Sequence, residues 1–309
     1  MKTKQFSLRL LTLLLCLGLL LSFGAQAAPA AAAAPISVTA DAAPTLPGET
    51  GFYLYVMPLL GADCMLVVSD GQTMLVDMGR RKDYPVIKEQ LDRLGVTRLD
   101  IAFNTHPHSD HIGSMVDLAQ ALPVGRFITV FPLDFVGPSV VQNHTVNNLK
   151  KMDVPIERMK DGDSFTLGGA DIRVMKTNQS KVNGASAMLH IRYGGTSYLL
   201  AADVNRVAQS RLNRLYGDQL KADVIKYPHH AQEKLDEGFT RTVNPGFALI
   251  THGSHNTQEG QKWLDRFGIP FQFASWGLIS LYSDGKSIFI SQELDDTSRG
   301  IKERWEQKR

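Results

Sequence analysis

Residues 105–113, THPHSDHIG, place three histidines and one aspartate within six positions, directly after the apolar run LDIAF. The whole chain has nine histidines. LDIAFNT (99–105) reads as a strand, and alternate side chains of a strand share a face. His106 and His108 therefore project the same way if the extension continues, and Pro107 biases His106 away from helical dihedrals. Asp110 and His111 fall where IGSMVDLAQAL (112–122) begins a helix, so they approach from another angle. Gly113, without a Cβ, lets backbone come close. Neutral imidazole and carboxylate are ligands for divalent cations, zinc at ~2.0–2.2 Å. Four such groups on one strand-to-helix turn suit two cations; the alternative is a solvated polar loop.

The surrounding pattern fits such a turn into an α/β architecture. FYLYVMP (52–58), CMLVVSD (64–70) and TMLVDMG (73–79) read as strands, with SDG (69–71) as a turn. DYPVIKEQLDRLG (83–95) is helical by the spacing of Ile87, Leu91 and Leu94 and stops at Gly95. A strand at 126–132 and a helix near 139–152 follow. DSFTLGGADIRVMKT, SAMLHIRYGG and TSYLLAAD then run strongly β, separated by Gly-Gly pairs. A helix (206–217) and two strands (222–228 and 246–253) come next, and helix, strand and strand close the domain near FISQE. Strand runs alternating with βα units predict two packed sheets with helices outside, a four-layer αβ/βα sandwich.

The ends of the chain read differently. MKTKQFSLR is basic, LLTLLLCLGLLLSF is apolar, and GAQAA offers small residues at Ala25 and Ala27. That order predicts a secretory signal peptide over residues 1–27. The alternative is a membrane anchor, for which the run is shorter than the roughly 20 residues a spanning helix needs. Cys16 follows three leucines rather than small residues, which argues against lipidation. Export with cleavage leaves a secreted or extracytoplasmic chain with no stable membrane span. Losing three positive charges takes the net charge from +2 to −1, so charge does not point to nucleic acid, although such a partner stays open. Only Cys64 survives cleavage, so no intramolecular disulfide forms; Cys64 reads as a small buried residue. Residues 28–50, rich in Ala and Pro, read as a tether. Residues 51–292 are the folded domain, and 293–309 a charged tail, either a solvated helix or frayed.

THPHSDHIG matches the H-x-H-x-D-H motif of the metallo-β-lactamase superfamily, and the resemblance extends across most of residues 51–292. TMLVDMG resembles the family's early strand ending in an aspartate, here Asp77. YGGTSYLLAADV resembles the strand that delivers a bridging aspartate, here Asp203. ADVIKYPHHAQ is similar to the D-V-L-K-x-P-H-H-G-S segment of ComEC-type hydrolase domains and their exported relatives; choline-phosphate esterases of some bacterial surfaces carry a comparable His-His segment. The resemblance implies two divalent metal ions, Zn2+ with Mn2+ as the alternative. It gives His106 and His108 to the first, Asp110 and His111 to the second, Asp203 as bridge, and His229 to complete the second site. His230 is an alternative ligand or a substrate contact, Asp77 orients a ligand histidine, and Asp110 stands beside the attacking water. Asp203 also follows the buried run YLLAA, where a carboxylate is costly unless paired or metal-bound; its other reading is a helix N-cap.

Two departures qualify the likeness. Many members place another histidine between the motif and the bridging aspartate, and KTNQSKVNGASAML holds none; Asn178, Asn183 or Ser186 takes that space, and His190 reads as an ordinary strand residue. PHHAQ replaces PHHGS, and His252 and His255 lie on a later loop, at the pocket rim or merely on the surface. The implied activity is hydrolysis of a phosphodiester or related ester, on a small-molecule or cell-surface substrate. A β-lactam or thioester substrate is the runner-up. A surface-binding protein with a structural or degenerate metal site is the reading from a different class.

Overall fold

A computed structural model describes residues 33–39 and 50–309. The expected signal peptide and most of the tether lie outside the described residues. Among the described residues no helix is long and apolar enough to cross a membrane.

Among the described residues, sixteen strands build two sheets. In chain order they are β1 (Ile36–Val38), β2 (Phe52–Val56), β3 (Met65–Ser69), β4 (Gln72–Val76), β5 (Leu99–Asn104), β6 (Val124–Thr129), β7 (Ile156–Arg158) and β8 (Ser164–Leu167). The second half supplies β9 (Ala170–Met175), β10 (Met188–Tyr193), β11 (Thr196–Leu200), β12 (Val224–Lys226), β13 (Phe247–Ile250), β14 (Phe271–Phe273), β15 (Ile279–Ser283) and β16 (Ile288–Gln292). One sheet has the order β1-β16-β15-β2-β3-β4-β5-β6-β7, the other β14-β13-β12-β11-β10-β9-β8.

Period-2 alternation sorts the strand residues into three apolar slabs. In β2, Phe52, Leu54 and Val56 face the slab between the sheets, with Tyr198, Leu200 and Leu249 of the other sheet. Tyr53 and Tyr55 face outward, into a slab that includes Ile87 and Leu91 of the helix Tyr84–Arg93. On the far side, Leu199, Ile225 and Ala248 pack with Leu212, Phe239 and Leu264 of three further helices. Helix, sheet, sheet, helix is the four-layer αβ/βα sandwich. Each fully buried Leu, Ile or Phe contributes ~1.5–3 kcal/mol, so all three slabs contribute to the cohesion, the middle one being the largest.

Each sheet pairs a parallel part with an antiparallel part. β4 to β7 are parallel, and so are β11 to β14. Ligand sites in parallel sheets lie beyond the carboxyl ends of the strands. Asp77 follows β4, His106 follows β5, Asp203 follows β11, and the two adjacent histidines follow β12.

One region differs from expectation, and the tail takes one of its two expected forms. Ile36–Val38, inside the stretch read as a tether, pairs in parallel with β16 as an edge strand, and Ile36 packs against the middle slab. The charged tail forms a helix, Asp296–Glu306. Its Trp305 stands edge-on to Phe271, Phe273 and Trp276, so one aromatic anchors an otherwise polar helix.

Candidate metal centre

The H-x-H-x-D-H turn folds as a short helix, Ser109–Ile112, ahead of Met115–Ala121. The helical turn starts earlier than the sequence indicated, so Asp110 and His111 sit in its first turn. Close approach at Gly113 makes this tight path feasible: an added Cβ would stand 2.3 Å from the Ser109 carbonyl and 2.6 Å from the Arg81 nitrogen.

Asp77 leaves β4 in left-handed backbone, φ 55°. Its carboxylate accepts from the Thr105 nitrogen at 2.8 Å, Thr105 Oγ1 at 2.7 Å and Asn104 Nδ2 at 3.0 Å. It also meets His111 Nδ1 at 2.7 Å. That contact fixes the ring so that Nε2 faces Asp203 Oδ2, 3.3 Å away. His106 Nε2 comes to 3.7 Å from the same oxygen. Asp203 is buried and is not the helix cap; Asn205 caps the following helix by accepting from the Ala208 nitrogen.

The adjacent histidines do not keep the expected order in space. His229, His230 and Ala231 all adopt positive φ, 50°, 53° and 65°. This left-handed turn sends His230 inward, with Nε2 3.6 Å from Asp110 Oδ2 and 3.7 Å from Asp203 Oδ1. His229 is left at the mouth, its side chain 31% exposed and Nδ1 3.6 Å from Glu233. His230, rather than His229, therefore stands against the carboxylates. His108 is half-buried, its ring edge-on to His106 at 4.8 Å.

Two residues not singled out in the sequence complete the interior. Asp63 and Lys226 are fully buried and paired through Nζ and Oδ2. Lys226 also donates to the Ala202 carbonyl at 2.9 Å and stands 3.8 Å from Asp203 Oδ1. Asp63 Oδ1 accepts from Thr251 Oγ1 at 2.6 Å and meets His230 Nδ1 at 3.1 Å. Asp63 thus positions His230 as Asp77 positions His111. A sequence signal existed: Lys226 interrupts the apolar strand VIK, and alternation turns it to the same side as Val224. Arg80 adds a third cation contact, 3.6 Å from Asp110 Oδ2, while donating to the Leu60 carbonyl at 3.1 Å.

The electrostatics favour a cation. Burial, reinforced by His111, holds His106 neutral, well below the ordinary imidazole range, so its ring offers a lone pair. Burial also opposes charge on His111, but Asp203 and Asp77 outweigh it and raise its pKa well above the usual value. His230 is raised in the same way by Asp203 and Asp63 against burial. The same carboxylates that raise the proton affinity of these rings also favour a divalent cation beside them. His106 Nε2, His111 Nε2, His230 Nε2 and Asp203 Oδ1 are among the buried atoms without a hydrogen-bond partner, and they meet neighbouring charges only at 3.3–3.8 Å. Ligand atoms of Asp110, His111 and His230 lie within 4.8 Å of one another, as do those of Asp63, Asp203 and His230.

The remaining candidates fall outside this cluster. Asn183 lines a cavity beside His108, Ser186 donates to the Asn183 carbonyl, and Asn178 is exposed. His190 is a strand residue, its Nε2 2.8 Å from the Lys221 carbonyl. His252 stands at the rim, 6.5 Å from the His230 ring, and His255 is exposed.

Comparison with known proteins identifies relatives over much of the chain. The chain is 26% identical over 233 residues to ribonuclease Z of Mycolicibacterium gilvum, covering 64% of this chain and 79% of that protein. It is 30% identical over 138 residues to hydroxyacylglutathione hydrolase of Xanthomonas campestris pv. campestris, 45% of this chain and 44% of that one. It thus spans less than half the length of the latter. A mutant of the CmlA beta-hydroxylase, a protein of Streptomyces venezuelae, shares the fold with a TM-score of 0.50 at 13% identity, over 75% of this chain and 54% of that one. The sequence profile of the metallo-β-lactamase superfamily matches residues 57–265, a span that takes in every residue of the centre. The chain belongs to the metallo-β-lactamase superfamily.

Proposed function

We propose that this chain is an exported, divalent-metal-dependent hydrolase of phosphodiesters or related esters. The observation that carries the proposal is the convergence of His106 Nε2, His111 Nε2 and His230 Nε2 on the Asp203 carboxylate, with these three nitrogens and Asp203 Oδ1 all buried and without a hydrogen-bond partner. A buried polar atom without a partner costs ~1–3 kcal/mol, so four aimed at one place call for an occupant. Imidazole and carboxylate donors select zinc, with manganese second. The charges agree. Among the described residues, Lys226 beside Asp63 and Asp203, and Arg80 beside Asp110, are the lysine and arginine contacts of the four carboxylates Asp63, Asp77, Asp110 and Asp203.

Asp110, His111, Asp203 and His230 would hold one ion. His106, His108 and Asp203 would hold a second, less completely, because no third histidine is present on that side. Such ions bring the pKa of coordinated water toward ~7 and neutralise charge developing on the attacked group. The chain's own residues arrange the rest. Asp77 and Asp63 fix the His111 and His230 rings through their Nδ1 atoms. Arg80 restrains Asp110 at the mouth, where that carboxylate orients the entering water. His108 and His229 flank the approach to the centre.

Preference for a phosphodiester draws support from the ribonuclease Z relative and from the ComEC-like ADVIKYPHHAQ segment. The hydroxyacylglutathione hydrolase relative supports a thioester as the second reading. The test is turnover of bis-p-nitrophenyl phosphate and of an S-acyl glutathione by zinc- or manganese-loaded protein. Chelator-sensitive turnover of the diester is expected. No turnover of either by metal-loaded protein overturns the hydrolase reading in favour of a binding protein.

A further inference from the structure

The opening beside His108 continues away from the centre as a polar groove. One cavity of about 480 Å³ has His108 and His229 at its inner end and Lys181, Asn183 and Asn205 further out. A second, of about 460 Å³, shares Lys181 and Asn205 and ends at Arg211. Lys181 and Arg211 are exposed and have no carboxylate partner among the described residues. Two polar atoms in the groove wall are buried and unpartnered, Gln179 Nε2 and Asn183 Oδ1. The Gln179 amide lies over Gly184, where a Cβ would come within 2.0 Å of its oxygen. The helix Arg206–Tyr216 starts at the same groove and presents its positive end there. The acidic side chain lining this path, Glu233, is at the inner end beside His229.

We propose that this groove holds the part of the substrate beyond the scissile bond, and that this part carries a second phosphate. The inference rests on the hydrolase reading and narrows its substrate class. A phosphate between Lys181 and Arg211 would take charge-assisted hydrogen bonds from both; the Gln179 and Asn183 amides, now turned from solvent, would reach the ligand by side-chain rotation. A choline-type cation would meet two like charges here, which disfavours phosphocholine esters.

The test is calorimetric titration of zinc-loaded protein with two ligand pairs. One pair is adenosine 3′,5′-bisphosphate and adenosine 5′-monophosphate; the other is glycerol 1,3-bisphosphate and glycerol 1-phosphate. At least one bisphosphate should bind tenfold or more tightly than its monophosphate, and the pair that does so separates a nucleotide from a polyol phosphate. The Lys181→Ala/Arg211→Ala protein should lose that advantage to within about threefold, and Lys181→Arg/Arg211→Lys should keep most of it. Equal binding within both pairs, or an advantage that survives the double alanine change, overturns the proposal. Failure of the hydrolase reading shows separately, as absent turnover of bis-p-nitrophenyl phosphate with the bisphosphate advantage intact.

Discussion

Lys226→Met tests the interior most severely. The change keeps the apolar stem and removes three donors from a fully buried position. Asp63 loses its cation, and the Ala202 carbonyl loses a donor at 2.9 Å. Removing one partner of a buried ion pair costs ~3–5 kcal/mol, because the other charge stays behind. Asp63 still accepts from Thr251 and meets His230, so the lower end, ~3 kcal/mol, is expected. The assay is urea unfolding of metal-free wild type, Lys226→Met, Asp63→Asn and the double variant. The double variant should be more stable than the summed single losses by more than ~1 kcal/mol, since it removes the stranded charge along with its partner. A Lys226→Met protein within ~0.5 kcal/mol of wild type, or a strictly additive double variant, would refute the reasoning.

Asp110→Ala should lower diester turnover by ~10²–10⁴ with little change in the urea midpoint, because Asp110 is part-exposed at the mouth rather than packed in a slab; equal rates would remove Asp110 from the chemistry. His230→Ala should lower retained zinc after gel filtration while His229→Ala keeps it, and the reverse pattern would reassign the pair. The pH dependence of metal-free stability follows from His111. Its folded pKa is raised, so its stabilising contribution is complete below the unfolded value of about 6.5 and is lost as pH rises through the folded value. Thermal melts should show metal-free stability falling above about pH 6.5, with the fall absent in zinc-loaded protein, where the ion replaces the proton; identical profiles in both states would contradict this.

The parts legible in the sequence were those encoded locally. The strand-to-helix turn carries His106, His108, Asp110 and His111 within a few residues, and the apolar run before Asp203 marks a strand exit. The continuous apolar runs of β2 and β13 mark strands covered on both faces. The rest depends on contacts distant in sequence. Lys226 is a charge in an apolar strand, a local signal that names no partner; Asp63 lies 163 residues earlier and only the packed sheets join them. His229 and His230 are equivalent as sequence; three successive left-handed residues decide which ring turns inward. Ile36–Val38 lacks any local strand period of useful length, and its pairing with Ile288–Ile290 spans most of the chain.

The central claim is that His106, His108, Asp110, His111, Asp203 and His230 form a divalent-metal centre. Crystals of zinc-equilibrated protein measured on both sides of the zinc absorption edge test it directly. The account predicts one strong anomalous peak ~2.0–2.2 Å from His111 Nε2, His230 Nε2 and the Asp110 and Asp203 carboxylates, with a weaker second peak beside His106 and His108. Anomalous density confined to surface histidines, with none among these six residues, would contradict it.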